Sequence, residues 1–301
     1  MSHYNIGIDL GGTKVRVGIV DESGNIIEEI TELTECEKGY EYVINKIINM
    51  INRLKNKDSV STIGIGAPGP LDSNKGIIIE PPNLHGWKNV DIVKMIHEKT
   101  GIKTILDNDA NVAGLAEAIY GAGKNYSIVQ YITISTGIGG GLVINRKLIS
   151  GAQGAAGEIG NMIVLPNGYK HSNLNAGTLE GLCSGTAIDR IAKERKITDE
   201  GAKKVFQLAF EGNEQARQLI YEVIDFLAIG IANIIHTINP DVFVLGGGVT
   251  ESLKKYGYIE VLSDRVKKYV YDSLKESVNI KAAQLGTKSG LIGAGILPFF
   301  N

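Results

Sequence analysis

Two glycine-rich turns of one kind, far apart in the chain, restrict what it can fold into more than any other feature. The first is Asp9-Leu10-Gly11-Gly12-Thr13-Lys14; the second is Ser135-Thr136-Gly137-Ile138-Gly139-Gly140-Gly141. Each follows a short apolar run, Tyr4 to Ile8 or Ile128 to Ile134, and precedes another, Val15 to Val20 or Leu142 to Ile144. That pattern predicts strand, tight turn, strand, twice over. Glycine lacks a Cβ, so backbone N–H groups can approach an anion closely, and Thr or Ser adds a hydroxyl donor. The pair predicts a phosphate chain held between two hairpins.

With 301 residues the chain is long enough for two domains with buried cores. Its 38 glycines fall in short clusters, which specifies many turns and favours a ligand-handling α/β enzyme. A formal net charge of −2 leaves no electrostatic footprint for nucleic acid. Cys36 and Cys183 make no disulfide framework and suit a reducing cytosol. Met1 to Asp9 lacks a basic segment followed by an apolar one. The longest apolar stretch, Phe226 to Ile235, falls short of the roughly 18 residues of a membrane span. The expectation is a cytoplasmic chain without a membrane or nucleic-acid partner.

The first ~120 residues, a fair domain length, read as a strand meander followed by alternating helix and strand. Asn5 to Glu29 predicts three strands, with a hairpin turn at Asp21-Glu22-Ser23-Gly24-Asn25. Tyr42, Val43, Ile47, Met50, Ile51 and Leu54 recur at helical spacing. Val60 to Ile65 and Thr104 to Leu106 read as strands, Val90 to Thr100 and Ala110 to Tyr120 as helices. The second half repeats the order: strands Ile128 to Ile134 and Gly141 to Asn145, then helices from Leu179 and Glu214. The Glu214 helix should stop at Asn239-Pro240, since proline cannot continue it. Strand Asp241 to Leu245, helix Val261 to Leu274, strand Asn279 to Leu285 and helix Ser289 to Leu297 complete the pattern. The expected division is 1–120 and 121–288.

Several residues carry chemistry. Asp9 can hold Mg²⁺ through water or act as an Asx-type turn former. Gly246-Gly247-Gly248-Val249 follows a strand, where bare backbone suits a flat adenine ring, or it merely turns the chain. In Leu106-Asp107-Asn108-Asp109-Ala110-Asn111, Asp109 suits an N-cap, yet the cluster offers more hydrogen-bonding groups than a cap uses. A carboxylate accepting a hydroxyl proton is what phosphoryl transfer to an alcohol needs. Glu158, in Gly157-Glu158-Ile159-Gly160-Asn161, and Glu180, in Leu179-Glu180-Gly181, could bind vicinal sugar hydroxyls; Glu180 could equally be a solvated first-turn residue. Pro81-Pro82-Asn83-Leu84-His85-Gly86-Trp87 is a stiff loop whose Asn83 could meet a ligand and whose Trp87 reads as a packing anchor.

Taken in order, these motifs, with Gly66-Ala67-Pro68-Gly69, resemble those of the ROK family (repressors, open reading frames, kinases), within the actin, hexokinase and Hsp70 ATPase superfamily. The likeness runs from Ile6 to about Pro298. It implies an α/β fold with two RNase H-like, actin-like ATPase domains flanking a nucleotide and sugar cleft. The last helix, 289–298, would pack back on the first domain. The resemblance implies an ATP- and Mg²⁺-dependent sugar kinase. Gly11, Gly12, Thr13, Lys14, Thr136 and Gly137 would line the phosphates, and Gly247 and Gly248 the adenosine. Asp109 matches the catalytic base; Gly69, Asn83, Asn108, Glu158, Asn161 and Glu180 match sugar contacts. A homodimer is implied as well.

One departure is large. Many members hold a structural zinc through a His and three cysteines, in Cys-x-Cys-Gly-x-x-Gly-Cys-x-Glu. Aligned on Glu180, this chain has His171, Asn173 and Thr178 at the cysteine positions and Asn161 at the histidine position. No soft-ligand set remains, so no zinc is expected. The loop Leu165 to Ala176 must then hold its shape by packing and hydrogen bonds. Glucose is the first expected substrate, N-acetylmannosamine the second, with fructose or a β-glucoside beyond. A sugar-responsive regulator is the rival class, although only Met1 to Ile8 precede Asp9, too little for a helix-turn-helix.

Overall fold

The computed structural model describes residues 3–152 and 154–300. Its chain clusters into two compact units, one of Met1–Lys124, Gly141–Ala156 and Leu285–Asn301, the other of Asn125–Gly140 and Gly157–Gln284.

The first unit opens with strands β1 (Tyr4–Leu10), β2 (Lys14–Asp21) and β3 (Ile26–Leu33), helix α1 (Tyr40–Arg53) and strand β4 (Val60–Ala67). Short strands β5 (Leu71–Asp72), β6 (Ile77–Ile78) and β7 (Val90–Asp91) precede helix α2 (Ile92–Thr100), strand β8 (Lys103–Asn108) and helix α3 (Asp109–Tyr120). The main sheet has the order β3-β2-β1-β4-β8, antiparallel through β1–β3 and parallel across β1, β4 and β8. Val43, Ile47, Met50 and Ile51 form the buried stripe of α1 against this sheet's core. Tyr42, expected in that stripe, lies on the solvent side, with its hydroxyl on Glu35. Trp87 is buried in the same core beside Tyr40, as its reading as an anchor required. Helix α2 begins at Ile92 rather than Val90, because Asp91 caps it by accepting the Lys94 N–H at 3.0 Å.

The next elements repeat the pattern. They are β9 (Ile128–Ile134), β10 (Ile138–Ile144), β11 (Lys147–Leu148), α4 (Leu179–Cys183), α5 (Gly185–Glu194), α6 (Ala202–Phe210), α7 (Glu214–Ile238), β12 (Val242–Gly246), α8 (Gly248–Lys255), α9 (Tyr258–Val266) and β13 (Ile280–Ala282). The sheet order β11-β10-β9-β12-β13, with β9, β12 and β13 parallel, matches the first sheet strand for strand. Helix α7 is long and apolar enough for a membrane span. Most of its apolar residues between Leu219 and Ile235 are instead buried against α4, α6 and α9 in the second core. It ends at Asn239, which takes the left-handed conformation before Pro240. Helix α9 stops at Val266, short of the expected Leu274. Val266, Val270 and Leu274 keep helical spacing, but the Lys268 and Tyr269 N–H groups bond three residues back, tightening and ending the helix.

The last helix, α10 (Ser289–Phe300), lies against β1, β4 and α3 within the first unit. The approach is backbone to backbone. A Cβ on Gly64 would stand 1.9 Å from the Ala294 carbonyl oxygen, and one on Gly293 1.8 Å from that of Val112. Buried Glu117 of α3 ties the segments beside it. Its Oε2 accepts the Ala122 N–H at 2.9 Å and its Oε1 the Leu285 N–H at 2.7 Å.

Candidate active site

Both glycine turns present backbone N–H groups, and the hydrogen bonds of their carbonyls show why. A planar trans peptide points its C=O and N–H in opposite directions. In the first turn, the Gly11 oxygen accepts from Thr34 Oγ1 at 2.6 Å and the Gly12 oxygen from Cys36 Sγ at 3.5 Å. The Gly12 and Thr13 N–H groups therefore face away from Thr34 and Cys36. In the second turn, the Ser135 oxygen accepts from the Gly185 N–H at 2.7 Å and the Thr136 oxygen from Thr186 Oγ1 at 2.8 Å. The Thr136 and Gly137 N–H groups accordingly face away from α5. Thr13 and Thr136 are exposed, so their hydroxyls can join the N–H groups around an anion. Lys14 opens β2 at the rim of the first turn, also exposed.

Asp9 lies at the end of β1, opposite Arg16 in the β1–β2 register. Burial pushes its carboxyl pKa up, an effect opposed by Arg16 and reinforced by Glu29. A partly buried carboxylate of this kind is relieved by a divalent cation, so Asp9 fits Mg²⁺ with water completing the shell. Gly290, in the first turn of α10, packs on it: a Cβ there would stand 2.8 Å from the Asp9 carboxyl carbon. The third glycine cluster begins α8. Gly247 has φ 88° and a would-be Cβ 2.4 Å from the Ile134 oxygen, so no other residue fits without moving backbone. Gly248 is the first residue of the helix and has open space beside it.

The acid-amide-acid cluster is arranged differently from expectation in one respect. The N-cap of α3 is Asn108, whose Oδ1 accepts the Ala110 N–H at 2.9 Å, and not Asp109. Asp109 is the first helical residue, exposed, and its Oδ1 shares that N–H at 2.8 Å. Capping of α3 is thus supplied by Asn108. Buried Asp107 holds the turn from beneath, accepting the Asn108 N–H and Asn111 Nδ2, each at 2.7 Å. Burial pushes its carboxyl up, against those two bonds. The sequence had Asp107 and Asn111 in view within the cluster; their four-residue spacing was the available signal that they would pair. Asn83 is exposed, and the Gly12 turn rests on its backbone: a Cβ on Gly12 would stand 2.6 Å from the Asn83 oxygen. Gly69 follows β4 in the same unit.

In the second unit Glu158 and Glu180 come together. The Glu158 carboxyl is pushed up by desolvation and by the Glu180 charge. Glu180, at the start of α4, accepts the Ile138 N–H on Oε2 at 2.7 Å and lies against Gly137. It is therefore an anchor of the second glycine turn rather than a solvated helix residue. Asn161 accepts the Asn175 N–H on Oδ1 at 3.0 Å, which leaves its amide donors available. The same bonds bear on zinc. Thr178 Oγ1 caps α4 by accepting the Gly181 N–H at 3.2 Å, and Asn161 is committed to Asn175. Two hydroxyl or amide groups spent on backbone, with Asn173 and a single His171, do not fit a tetrahedral zinc centre.

A sequence model of the ROK family matches residues 5–298. A glucokinase of Thermotoga maritima is 34% identical, over 96% of this chain and 95% of its own. Among solved structures, a ROK hexokinase from Thermus thermophilus superposes with a TM-score of 0.89 at 33% identity, covering 98% of this chain and 99% of its own. A ROK glucokinase from Streptomyces griseus, in complex with glucose and AMPPNP, gives 0.76 at 29% identity, with 98% of each chain covered. The glycine turns, the repeated sheets and these likenesses agree over nearly the whole length: the chain belongs to the ROK family and has the actin-like ATPase fold of its sugar kinases.

Proposed function

We propose that this chain transfers the γ-phosphoryl group of ATP to a hexose hydroxyl, O6 of glucose in the first place. The observation that carries the reading is that Gly12–Thr13 and Thr136–Gly137, each within its own unit, turn their N–H groups away from the partners of their carbonyls. The Streptomyces griseus relative, with glucose and AMPPNP, supports both substrates.

In this mechanism the two turns, with the Thr13 and Thr136 hydroxyls and Lys14, hold the phosphates, and Gly247 and Gly248 admit the adenosine. Asp9 would hold Mg²⁺ through water, and the ion would neutralise charge on the phosphate oxygens. Asn83, Asn108, Glu158, Asn161 and Glu180, with Gly69 beside them, orient the sugar. Asp109 takes the proton of the attacking hydroxyl as the new O–P bond forms, while the bond to the β–γ bridging oxygen breaks and ADP leaves. Positioning and charge neutralisation supply most of the acceleration. The protein acts as a homodimer, checked by light scattering on a sizing column. An ADP-release assay over glucose, mannose, fructose, N-acetylmannosamine, N-acetylglucosamine and cellobiose tests the reading. Glucose should give the highest kcat/KM; N-acetylmannosamine leading would move the chain to the runner-up, and sugar-independent ATP turnover would refute a kinase.

A further inference from the structure

Between the 3-10 turn Ile159–Asn161 and α4, the chain runs through a long loop with no helix or strand, closed by isolated bridges Ile163–Thr178 and Lys170–Ala176. Loops of this length inside a compact unit are uncommon and need something to hold them. Apolar burial does not suffice. Val164 is buried, but Ile163, Leu165 and Tyr169 are all at least 40% exposed. The base is tied by backbone bonds from the Val164 and Leu165 N–H groups to the Gly177 oxygen, and from the Leu179 N–H to the Met162 oxygen. Those bonds fix where the loop starts and ends, not how its far part lies.

The side chain of Arg190 reaches that far part. The Arg190 guanidinium of α5 stacks over the Tyr169 ring, 3.5 Å from its centre. Its Nη2 donates to the Gly181 oxygen at 3.2 Å, and its Nη1 is held by both Glu194 carboxylate oxygens at 3.0 Å. Glu194 thus fixes the rotamer, the planar cation grips the loop, and the same group fixes α4 one residue from Glu180. Tyr169 passes the restraint on, since its oxygen accepts the Gly177 N–H at 2.9 Å. On the other arm, Asn175 binds Asn161.

We infer that Arg190 and Tyr169 form a metal-free clasp that positions the sugar-recognition groups Asn161 and Glu180, doing through a cation and a ring what a tetrahedral zinc cannot do with this donor set. Arg190 is a positioning residue and does not touch the substrate. The inference rests on the proposed sugar site, and its test has an arm that does not.

The test compares wild type with Arg190→Met, which keeps the unbranched stem but loses cation and donors, with Tyr169→Leu, and with Arg190→Lys. In hydrogen–deuterium exchange without ligand, Arg190→Met and Tyr169→Leu should exchange faster in 163–178 and stay unchanged in the β-sheet peptides. In steady-state kinetics the KM for sugar should rise on the order of 10-fold and by more than the KM for ATP, which feels the change only through the bond from the Ile138 N–H to Glu180. Arg190→Lys should recover part of both effects. Wild type dialysed against a transition-metal chelator should keep its exchange pattern and its KM. Unchanged exchange in 163–178 in a folded Arg190→Met protein would overturn the clasp, as would equal rises in both KM values or a chelator-sensitive loop. A wild type that phosphorylates none of the sugars would instead refute the function, leaving the exchange result to judge the clasp.

Discussion

Replacing Asp109 by asparagine separates a helix-capping role from a chemical one, because the two predict effects of very different size. Asn108 already caps α3, and the Asp109 oxygen that shares the Ala110 N–H at 2.8 Å is reproduced by an asparagine oxygen. What the fold loses is one negative charge in the first helical turn, about 0.3–1 kcal/mol. At roughly 2–4 °C per kcal/mol for a chain of this size class, the melting temperature should fall by no more than about 4 °C. If Asp109 is the base, as proposed, the reaction loses its proton acceptor, and general-base catalysis contributes about 10²–10⁴-fold. At 1.36 kcal/mol per factor of ten that is roughly 3–5 kcal/mol in the barrier, several times the cost to the fold. Coupled ADP-release kinetics, calorimetric titration of sugar and a thermal melt read the three quantities separately. The expected result is a kcat down by at least about 10², with sugar affinity and melting temperature nearly intact. A near-wild-type kcat would refute the assignment of the base. A large melting shift with kcat and affinity falling together would refute the division of labour between Asn108 and Asp109.

Other outcomes follow from neighbouring geometry. Glu117→Gln turns an amide N–H₂ toward one of two buried backbone N–H groups, so about 1.5–3 kcal/mol of stability should go, read by denaturant unfolding; an unchanged midpoint would show that Glu117 is no latch. Gly247→Ala meets the Ile134 carbonyl at 2.4 Å in a left-handed conformation, and should raise the KM for ATP while costing on the order of 2 kcal/mol. Equal ATP kinetics in the folded variant would exclude this glycine from the nucleotide end. Glu158 has its pKa raised, so as pH falls it protonates before an ordinary glutamate, near 4.3, would. If its carboxylate accepts sugar hydroxyls, the KM for sugar rises through that acidic window while the KM for ATP stays flat. Its contribution to folding has the opposite slope, with stability falling as pH rises through the same window. Glu158→Gln should remove the acid limb of the sugar profile, and persistence of that limb would assign it to another group.

Much of the fold was legible because hydrophobic period and turn chemistry are local. The β1–β2 and β9–β10 hairpins, and the stop of α7 at Asn239-Pro240, follow from residues adjacent in sequence. What was not legible depends on partners far away. The spacing of Val266, Val270 and Leu274 suits a helix, yet i→i+3 bonds after Arg265 end it. Asp107 and Glu117 look like any surface acids until burial supplies them with backbone N–H groups to hold. Arg190 carries no sequence signal at all, because its role requires Tyr169, twenty-one positions earlier, to be folded beneath it. The cluster at 107–111 was visible as a site, but that Asn108 rather than Asp109 caps the helix was a matter of one residue of helix phase.

The two glycine turns show why a structural repeat can leave so little trace in residue identity. What each turn must do is set by the peptide plane: to aim N–H groups one way, its carbonyls must be satisfied the other way. The first turn uses a Thr hydroxyl and a Cys thiol from the segment after β3. The second uses a backbone N–H and a Thr hydroxyl from the start of α5, and adds the Glu180 carboxylate on Ile138. Any donor at the right place serves, so the two turns share their glycines while their supporting donors differ. The same substitution of means holds at the loop after Asn161. There the proposed requirement is a fixed position for Asn161 and Glu180, which a stacked arginine can meet.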